Sequence, residues 1–457
     1  MVLNRAALPQ PLCVAFGVVA LLYLQQFPLN HDVAWLLEAT RRWVAGERLY
    51  VDIVEINPPL IFLENIILTA GVLTKLAYLF GVTLVCVLSG LWVGRWHGAG
   101  LSLAATAVLI CAGVIGFGQR DHLALIFLLP FLMAPDELDR PERVALAAYA
   151  FLGAGLKPYF LLMPGAFVAA RCLEKRSFLP AWALQNIVLS TMIGAWTLTI
   201  VVLWPTYLSE IVPMGRFVYS AFGQPVAPTQ LNASVAILVA CLLVSVRHAP
   251  QRPLAAATLG ALLSFVIQGR FWPYHLIPAI GLAAVLTLQA GWQGEGLLRL
   301  ALLFCGAGFT VADLVPGPRH YPKSLVPRGV HSVLFLADAV PVAYPMVVEC
   351  GIRNASRYPT FWTLPGAWNA MDDPDRREEA WQVLRREVKR GNQDIRKYQP
   401  EIIFEEIRPP KFRRQFHFSD WFDLSAYRNA GQRAGKNVWL RRDLSLTILD
   451  RETCQFT

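Results

Sequence analysis

Two short stretches of the sequence gather side chains that could act on a phosphate-linked substrate. The first is residues 30–59, NHDVAWLLEATRRWVAGERLYVDIVEINPP, and the second is GQRDH (118–122). A carboxylate can take a proton from an attacking hydroxyl, and cationic side chains can bind phosphate oxygens. The predicted catalytic residues are Asp32, Asp121 and Glu55.

Further polar residues follow at intervals later in the chain, where apolar segments begin or end. They would bind the substrate rather than take its proton. The predicted substrate-binding residues are Arg120, His122, Lys157, Tyr159, Arg216, Arg270 and His275.

Composition indicates where these residues are held. The chain of 457 residues is 55% hydrophobic and 16% charged, and its mean hydropathy is +0.43. Soluble domains carry about 25% charged residues. The sequence therefore predicts a polytopic α-helical membrane protein, with Lys and Arg concentrated in short cytoplasmic loops. The net charge of +9 is not arranged as a nucleic-acid-binding stripe, so nucleic acid is excluded as a partner.

Apolar runs predict about 11 membrane spans before a C-terminal domain. With the N-terminus in the cytoplasm, both polar stretches lie on the extracytoplasmic face. Residues 143–171 stay open as one kinked helix or two short spans. The predicted spans are 11–27, 75–95, 99–117, 122–134, 143–156, 158–171, 182–205, 231–247, 253–269, 274–291 and 297–313.

The predicted domains are a transmembrane domain over 1–313 and a small extracytoplasmic α/β domain over 314–457. Within the first, residues 28–74 form an extracytoplasmic loop with interfacial helices. Its helix 32–46 carries apolar residues on one face and is expected to lie on the bilayer. Asp32 could instead cap this helix, and Arg41 and Arg42 read as lipid-headgroup contacts.

The C-terminal region has the pattern of strand, charged helix and strand. The strands are predicted in SVLFLADAV (332–340) and PEIIFEEI (400–407), the helix over 373–398, and a hairpin over 431–443. Cys350 and Cys454 could pair if this region is extracytoplasmic. Spacing alone does not place them together.

The order of motifs resembles the GT-C superfamily of polyprenyl-phosphate-sugar-dependent glycosyltransferases. These include the protein O-mannosyltransferase and lipid A aminoarabinose transferase families, and uncharacterised bacterial members look closer still. An acid follows the first span, NPPL (57–60) ends the polar stretch, and GQRDH follows the third span. GLKPYFLL (155–162) and WPYHLIP (272–278) extend the likeness over residues 10–310.

This resemblance implies an inverting transfer of one sugar from a polyprenyl-phosphate donor to an extracytoplasmic glycan, lipid or protein acceptor. Asp32 would be the general base, in a bacterial inner-membrane protein surrounded by lipid. Some relatives hold a divalent cation with such acids; whether this chain has a metal ligand set stays open, since Arg120 could replace the cation.

Two other functions fit parts of the pattern. A transporter or flippase of a lipid-linked sugar would also place charged groups at membrane helices, but the sequence has no internal repeat. An O-antigen ligase-like enzyme would use a lipid-diphosphate donor, and its basic residues would lie in one large late loop. In this sequence the large loop is the first one, residues 28–74, whereas the later loop of residues 206–230 is short.

Overall fold

The computed structural model describes residues 9–113, 116–220, 225–311 and 325–454. The chain divides into two compact units. Unit 1 comprises residues 1–26, 57–200 and 224–318, and unit 2 comprises residues 27–56, 201–223 and 319–457. The predicted domain boundary at 313/314 lies outside the described residues, and that division stays a prediction.

Unit 1 is built from apolar α-helices that pack in pairs. Helix α4 packs on α5, α6 on α7, α8 on α12, and α13 on α14. The helices are α1 (Pro9–Leu24), α3 (Leu60–Leu68), α4 (Lys75–His97), α5 (Ala99–Cys111), α6 (Arg120–Met133), α7 (Arg140–Ala154), α8 (Leu162–Glu174), α9 (Leu184–Leu203), α11 (Pro228–Arg247), α12 (Arg252–Gln268), α13 (Ile277–Gln293) and α14 (Gly296–Val311).

Small residues let these helices approach closely. A Cβ atom on Gly260 of α12 would lie 2.4 Å from the carbonyl oxygen of Leu162 in α8. A Cβ on Gly94 of α4 would lie 2.3 Å from the Cβ of Ser102 in α5. Close backbone approach at glycine is a common way for apolar helices to associate, since it increases van der Waals contact.

The prediction of about 11 membrane spans is wrong. Among the described residues, four helices are long and apolar enough to cross a membrane: Lys75–His97, Leu184–Leu203, Pro228–Arg247 and Pro273–Gln293. The other apolar segments form shorter helices, and several of the predicted spans already had too few residues to cross a bilayer. For example, the span predicted over 122–134 overlaps α6, which has 14 residues, and the span predicted over 158–171 overlaps α8, which has 13, against about 20 needed for a span.

The ambiguous segment 143–171 is not one continuous helix. Helix α7 ends at Ala154, a 3₁₀ turn covers Pro158–Leu161, and α8 begins at Leu162. Pro158 lies at the start of the 3₁₀ turn, where its missing N–H removes no helical hydrogen bond. Lys157 therefore lies in an extended connection between two helices.

Unit 2 is an α/β structure around a five-stranded sheet of order β2-β1-β3-β5-β4. Strand β1 is parallel to β2 and β3, and β5 is antiparallel to β3 and β4. The strands are β1 (Ser332–Leu336), β2 (Arg353–Asn354), β3 (Ile402–Glu406), β4 (Tyr427–Arg433) and β5 (Lys436–Arg441). The helices are α2 (His31–Val44), α10 (Val212–Ser220), α15 (Met346–Glu349), α16 (Thr363–Ala370) and α17 (Arg377–Tyr398).

The sheet is held by buried apolar residues on its central strands. Val333 pairs with Ile402 and Phe335 with Phe404 across β1 and β3, and the two phenylalanine rings stack at 5.3 Å. Burying each of these side chains contributes about 1.5–3 kcal/mol. This pairing fixes which residues meet at the carboxyl ends of β1 and β3.

Two earlier segments of the chain belong to unit 2. The N–H of Val54 donates to the carbonyl of Arg357 at 2.8 Å. Helix α10 packs on α16, where Tyr219 stacks on Trp362 with ring centroids 5.3 Å apart. Residues 27–56, which carry Asp32, are therefore built into the α/β unit.

Cys350 and Cys454 form a disulfide with Cα atoms 6.0 Å apart. The bond joins the end of α15 to the C-terminal segment, where Pro327 and Thr453 form an isolated β-bridge. The pairing that the sequence left open is thus present in unit 2.

Candidate functional site

Asp32 lies in the first turn of α2, but it is not the residue that caps this helix. The cap is Asn30, whose side chain accepts a hydrogen bond from the N–H of Asp32 at 3.0 Å. The Asp32 carboxylate lies 3.5 Å from Nε2 of His31, and its side chain is 22% exposed. The positive end of the helix dipole favours an anion here. Asp32 is thus a partly accessible carboxylate without the capping role weighed from the sequence.

Helix α2 is more deeply packed than the expected interfacial helix. Glu38 and Arg42, which the pattern places on its polar face, are 5% and 7% exposed. Arg42 is held by protein groups rather than placed at a lipid headgroup: its guanidinium donates to Glu47 and to the carbonyl of Ser356. These contacts fix the helix that carries Asp32.

A polar cluster that the sequence did not predict lies at the carboxyl ends of β1 and β3. Asp338 follows β1 and is fully buried, and Lys411 follows β3 along the chain. The backbone N–H of Lys411 donates to Oδ2 of Asp338 at 2.8 Å, and its Nζ donates to the Asp338 carbonyl at 3.0 Å. The carboxyl edge of parallel strands is a common site for ligands.

Asp32 contributes to the electrostatics of this cluster. Burial lowers the pKa of Lys411, and the negative charges of Asp338, Asp32 and Glu406 oppose that shift. Burial also raises the pKa of Asp338 and of Glu406. The two acids lie near the ends of the stretches SVLFLADAV and PEIIFEEI, in which strands were predicted, and this position was the available signal for them.

The other site residues predicted in unit 2 differ in exposure. Glu55 is 4% exposed and accepts a hydrogen bond from the indole Nε1 of Trp35. Arg216 lies on α10 and is exposed. The structure therefore places Glu55 inside unit 2 and Arg216 on its surface.

Unit 1 brings four of its predicted site residues close to one another. Asp121 is fully buried at the first turn of α6, and its Oδ2 accepts a hydrogen bond from Nζ of Lys157 at 2.8 Å. Arg120 and His275 also act electrostatically on the Asp121 carboxylate. Because cationic groups outnumber the acid, the cluster favours an anionic ligand.

Gln268 belongs to the same cluster and was missed. Its Oε1 accepts a second hydrogen bond from Lys157 Nζ at 3.1 Å. The residue is the last of α12, and a lone glutamine at a helix end gives no recognisable sequence signal. Together Asp121 and Gln268 hold the Lys157 ammonium in one position.

Both ring nitrogens of His122 contact backbone groups of the protein. Its Nδ1 accepts a hydrogen bond from the N–H of Gly118 at 3.0 Å, and its Nε2 contacts the carbonyl of Leu109. Both ring nitrogens are therefore used in joining α6 to the preceding segment. Tyr159 is 40% exposed and Arg270 is half-buried. The substrate-binding roles of these three residues stay predictions.

The residues around Asp121 do not fit a divalent cation. A cation such as Mg²⁺ needs several oxygen ligands, whereas Asp121 is bonded to an ammonium and lies beside Arg120 and His275. No group of three or more His, Cys, Asp or Glu residues suited to a metal occurs in the part of the chain that the structure describes.

Comparison with models of known protein families gives no match, and comparison with curated proteins gives none either.

Proposed function

We propose that this protein is a membrane glycosyltransferase of the GT-C type. It would move one sugar from a polyprenyl-phosphate donor to an extracytoplasmic glycan, lipid or protein acceptor. The observation that carries the proposal is Asp32: a carboxylate that is partly exposed at a helix N-terminus and is not the helix cap. The order of motifs around it supports the same class of enzyme.

The proposed reaction is a single displacement with inversion. The Asp32 carboxylate takes the proton of the acceptor hydroxyl while that oxygen attacks the anomeric carbon of the donor. The bond between this carbon and the phosphate oxygen breaks, and the electron pair leaves with the polyprenyl phosphate. No oxidant or reductant is needed.

Unit 1 separately holds a cationic cluster that suits a phosphate group. Lys157 has one hydrogen bond to Asp121 and one to Gln268, so its ammonium is held in one orientation. Arg120 adds positive charge next to the Asp121 carboxylate. Preorganised charge stabilises an anion more effectively than mobile groups. Asp121, predicted as a second catalytic acid, would act here by positioning Lys157.

The location of the proposed site is supported by the disulfide. Cys350 and Cys454 are bonded in unit 2, and disulfides persist in oxidising compartments outside the cytosol. This favours an extracytoplasmic position for unit 2, as proposed for a bacterial inner-membrane enzyme whose donor is presented on that face.

The test uses the full-length protein in nanodiscs with radiolabelled polyprenyl-phosphate monosaccharides and a cell-envelope extract as acceptor. Asp32→Asn removes the base and is expected to lower transfer by about 10²–10⁴-fold, with donor binding retained. Asp52→Asn is the matched control, because Asp52 is an acid of the same segment that pairs with the exposed Arg48. Equal transfer by Asp32→Asn and wild type would exclude Asp32 as the base.

A further inference from the structure

A basic groove lies along one side of α17 in unit 2. Its volume is about 400 Å³, within the range of about 300–1,000 Å³ typical of ligand sites. The cationic residues along it are Arg385, Lys389 and Arg396. Residues 385, 389 and 396 share a helix face, since spacings of four and seven residues return to the same side.

The charge of the groove is strongly one-sided. None of the described residues that line it is acidic, and its three cationic side chains are exposed. Asp423 interacts electrostatically with Arg396 and is itself exposed. Arg385 also lies over the ring of Trp381, 5.3 Å from its centroid. The groove therefore favours a negatively charged ligand.

An aromatic ring and two amides complete the lining. Trp421 is half-buried, stacks on Phe416 and meets Trp368 edge to face. Asn392 donates to the Trp421 carbonyl at 3.1 Å and accepts from the N–H of Asp423 at 2.7 Å. The indole and the Asn392 amide are thus held in place, while the Gln393 amide is exposed in the lining.

We propose that this groove binds an acidic saccharide chain. The C–H face of a sugar ring is apolar and packs on an indole, amides bond its hydroxyls, and arginine binds a carboxylate through two parallel hydrogen bonds. A purely ionic site would need no fixed tryptophan. The further step, that the bound saccharide is the acceptor of the transferred sugar, rests on the proposed function. The binding of the saccharide in the groove does not depend on that function.

Calorimetry on the full-length protein in neutral detergent tests the proposal. The probe is an oligogalacturonide, which carries carboxylates, and its matched control is a neutral galacto-oligosaccharide of equal length. The triple variant Arg385→Gln/Lys389→Gln/Arg396→Gln removes the cations without touching the core. Each exposed ion pair contributes about twofold to fivefold in affinity, so the triple variant should bind the acidic probe about eightfold to a hundredfold more weakly.

A second triple variant controls for total charge. Arg328→Gln/Arg408→Gln/Arg442→Gln removes three exposed cations of unit 2 that do not line the groove, and it should bind like wild type. Equal weakening in both triple variants, or no binding of the acidic probe by wild type, would overturn the proposal. Binding of phosphatidylglycerol vesicles at the groove without oligogalacturonide binding would also overturn it and assign a lipid ligand.

The same preparations separate this inference from the proposed function. Asp32→Asn should bind the oligogalacturonide as wild type does, although it should not transfer sugar. Binding without any sugar transfer by wild type would refute the glycosyltransferase and keep the saccharide site. Sugar transfer without oligogalacturonide binding in the groove would refute the saccharide site and keep the glycosyltransferase.

Discussion

Arg42 provides the sharpest test of how the segment bearing Asp32 is held. Its side chain is 8% exposed and pairs with Glu47, whose carboxylate receives hydrogen bonds from Nε at 2.9 Å and Nη2 at 2.6 Å. Nη1 donates to the carbonyl of Ser356 at 2.7 Å. One guanidinium therefore joins α2 to the following turn and to the C-terminal part of unit 2.

Arg42→Met keeps much of the apolar stem and removes every one of these hydrogen bonds. Breaking a buried ion pair by removing one partner costs about 3–5 kcal/mol. Glu47 is 24% exposed and regains some hydration, whereas Ser356 is fully buried and its carbonyl would lose this donor. The expected loss of stability in Arg42→Met is therefore at the lower end of this range, about 3 kcal/mol.

Hydrogen exchange followed by mass spectrometry measures this loss where it occurs. Peptides covering residues 31–56 should exchange about a hundredfold faster in Arg42→Met, since 1.4 kcal/mol is about tenfold in an opening equilibrium. Arg48→Met is the matched control. Arg48 pairs with Asp52 in the same segment but is 71% exposed, and its loss should leave the exchange of these peptides close to that of wild type.

The reasoning would be refuted if Arg42→Met exchanged no faster than Arg48→Met. That result would mean that the α2 segment is held without the guanidinium contacts. A faster exchange restricted to Arg42→Met would support the buried contacts as the cause.

Three further predictions concern stability. Burial raises the pKa of Asp338, so the unfolding free energy of the wild type should fall as pH rises from the carboxyl pKa of the unfolded chain through that of the folded protein. Asp338→Asn should flatten this fall in denaturant titrations at several pH values. An unchanged pH dependence in the variant would contradict the prediction. Reducing Cys350–Cys454, which spans 104 residues, should cost about 2–5 kcal/mol, measured by denaturation with and without reductant; identical midpoints would argue against the bond. Lys157→Met leaves the fully buried Asp121 without its ammonium partner and should lower the free energy of unfolding by about 3–5 kcal/mol. The double variant Lys157→Met/Asp121→Asn should regain much of this stability in thermal unfolding. Equal losses of stability in the two variants would reject the pairing.

The sequence predicted the elements of unit 2 well where local pattern determines them. The charged helix expected over 373–398 is α17, Arg377–Tyr398, and the two predicted strands contain β1 and β3. Strand β2 has two residues, too few for any alternation to appear. Apolar runs overestimated the number of spans because short runs were counted although they hold too few residues to cross a bilayer, as on either side of Pro158.

Site residues could be predicted only where the signal is local. Asp32, Asp121 and Lys157 stand out as ionisable groups next to apolar segments. The contact of Lys411 with Asp338 joins residues 73 positions apart, and it depends on the parallel pairing of β1 with β3, whose register no local pattern gives. The capping role of Asn30, rather than Asp32, likewise depends on where the backbone begins the helix.

The most direct test of the central claim follows the fate of the donor. Purified protein is reconstituted in liposomes with a doubly labelled polyprenyl-phosphate sugar and an acceptor extract, and unsubstituted polyprenyl phosphate is quantified. A glycosyltransferase predicts one free polyprenyl phosphate for each sugar on the acceptor, with both lost in Asp32→Asn. Intact donor moved across the bilayer, with no free polyprenyl phosphate, would contradict the account and identify a transporter.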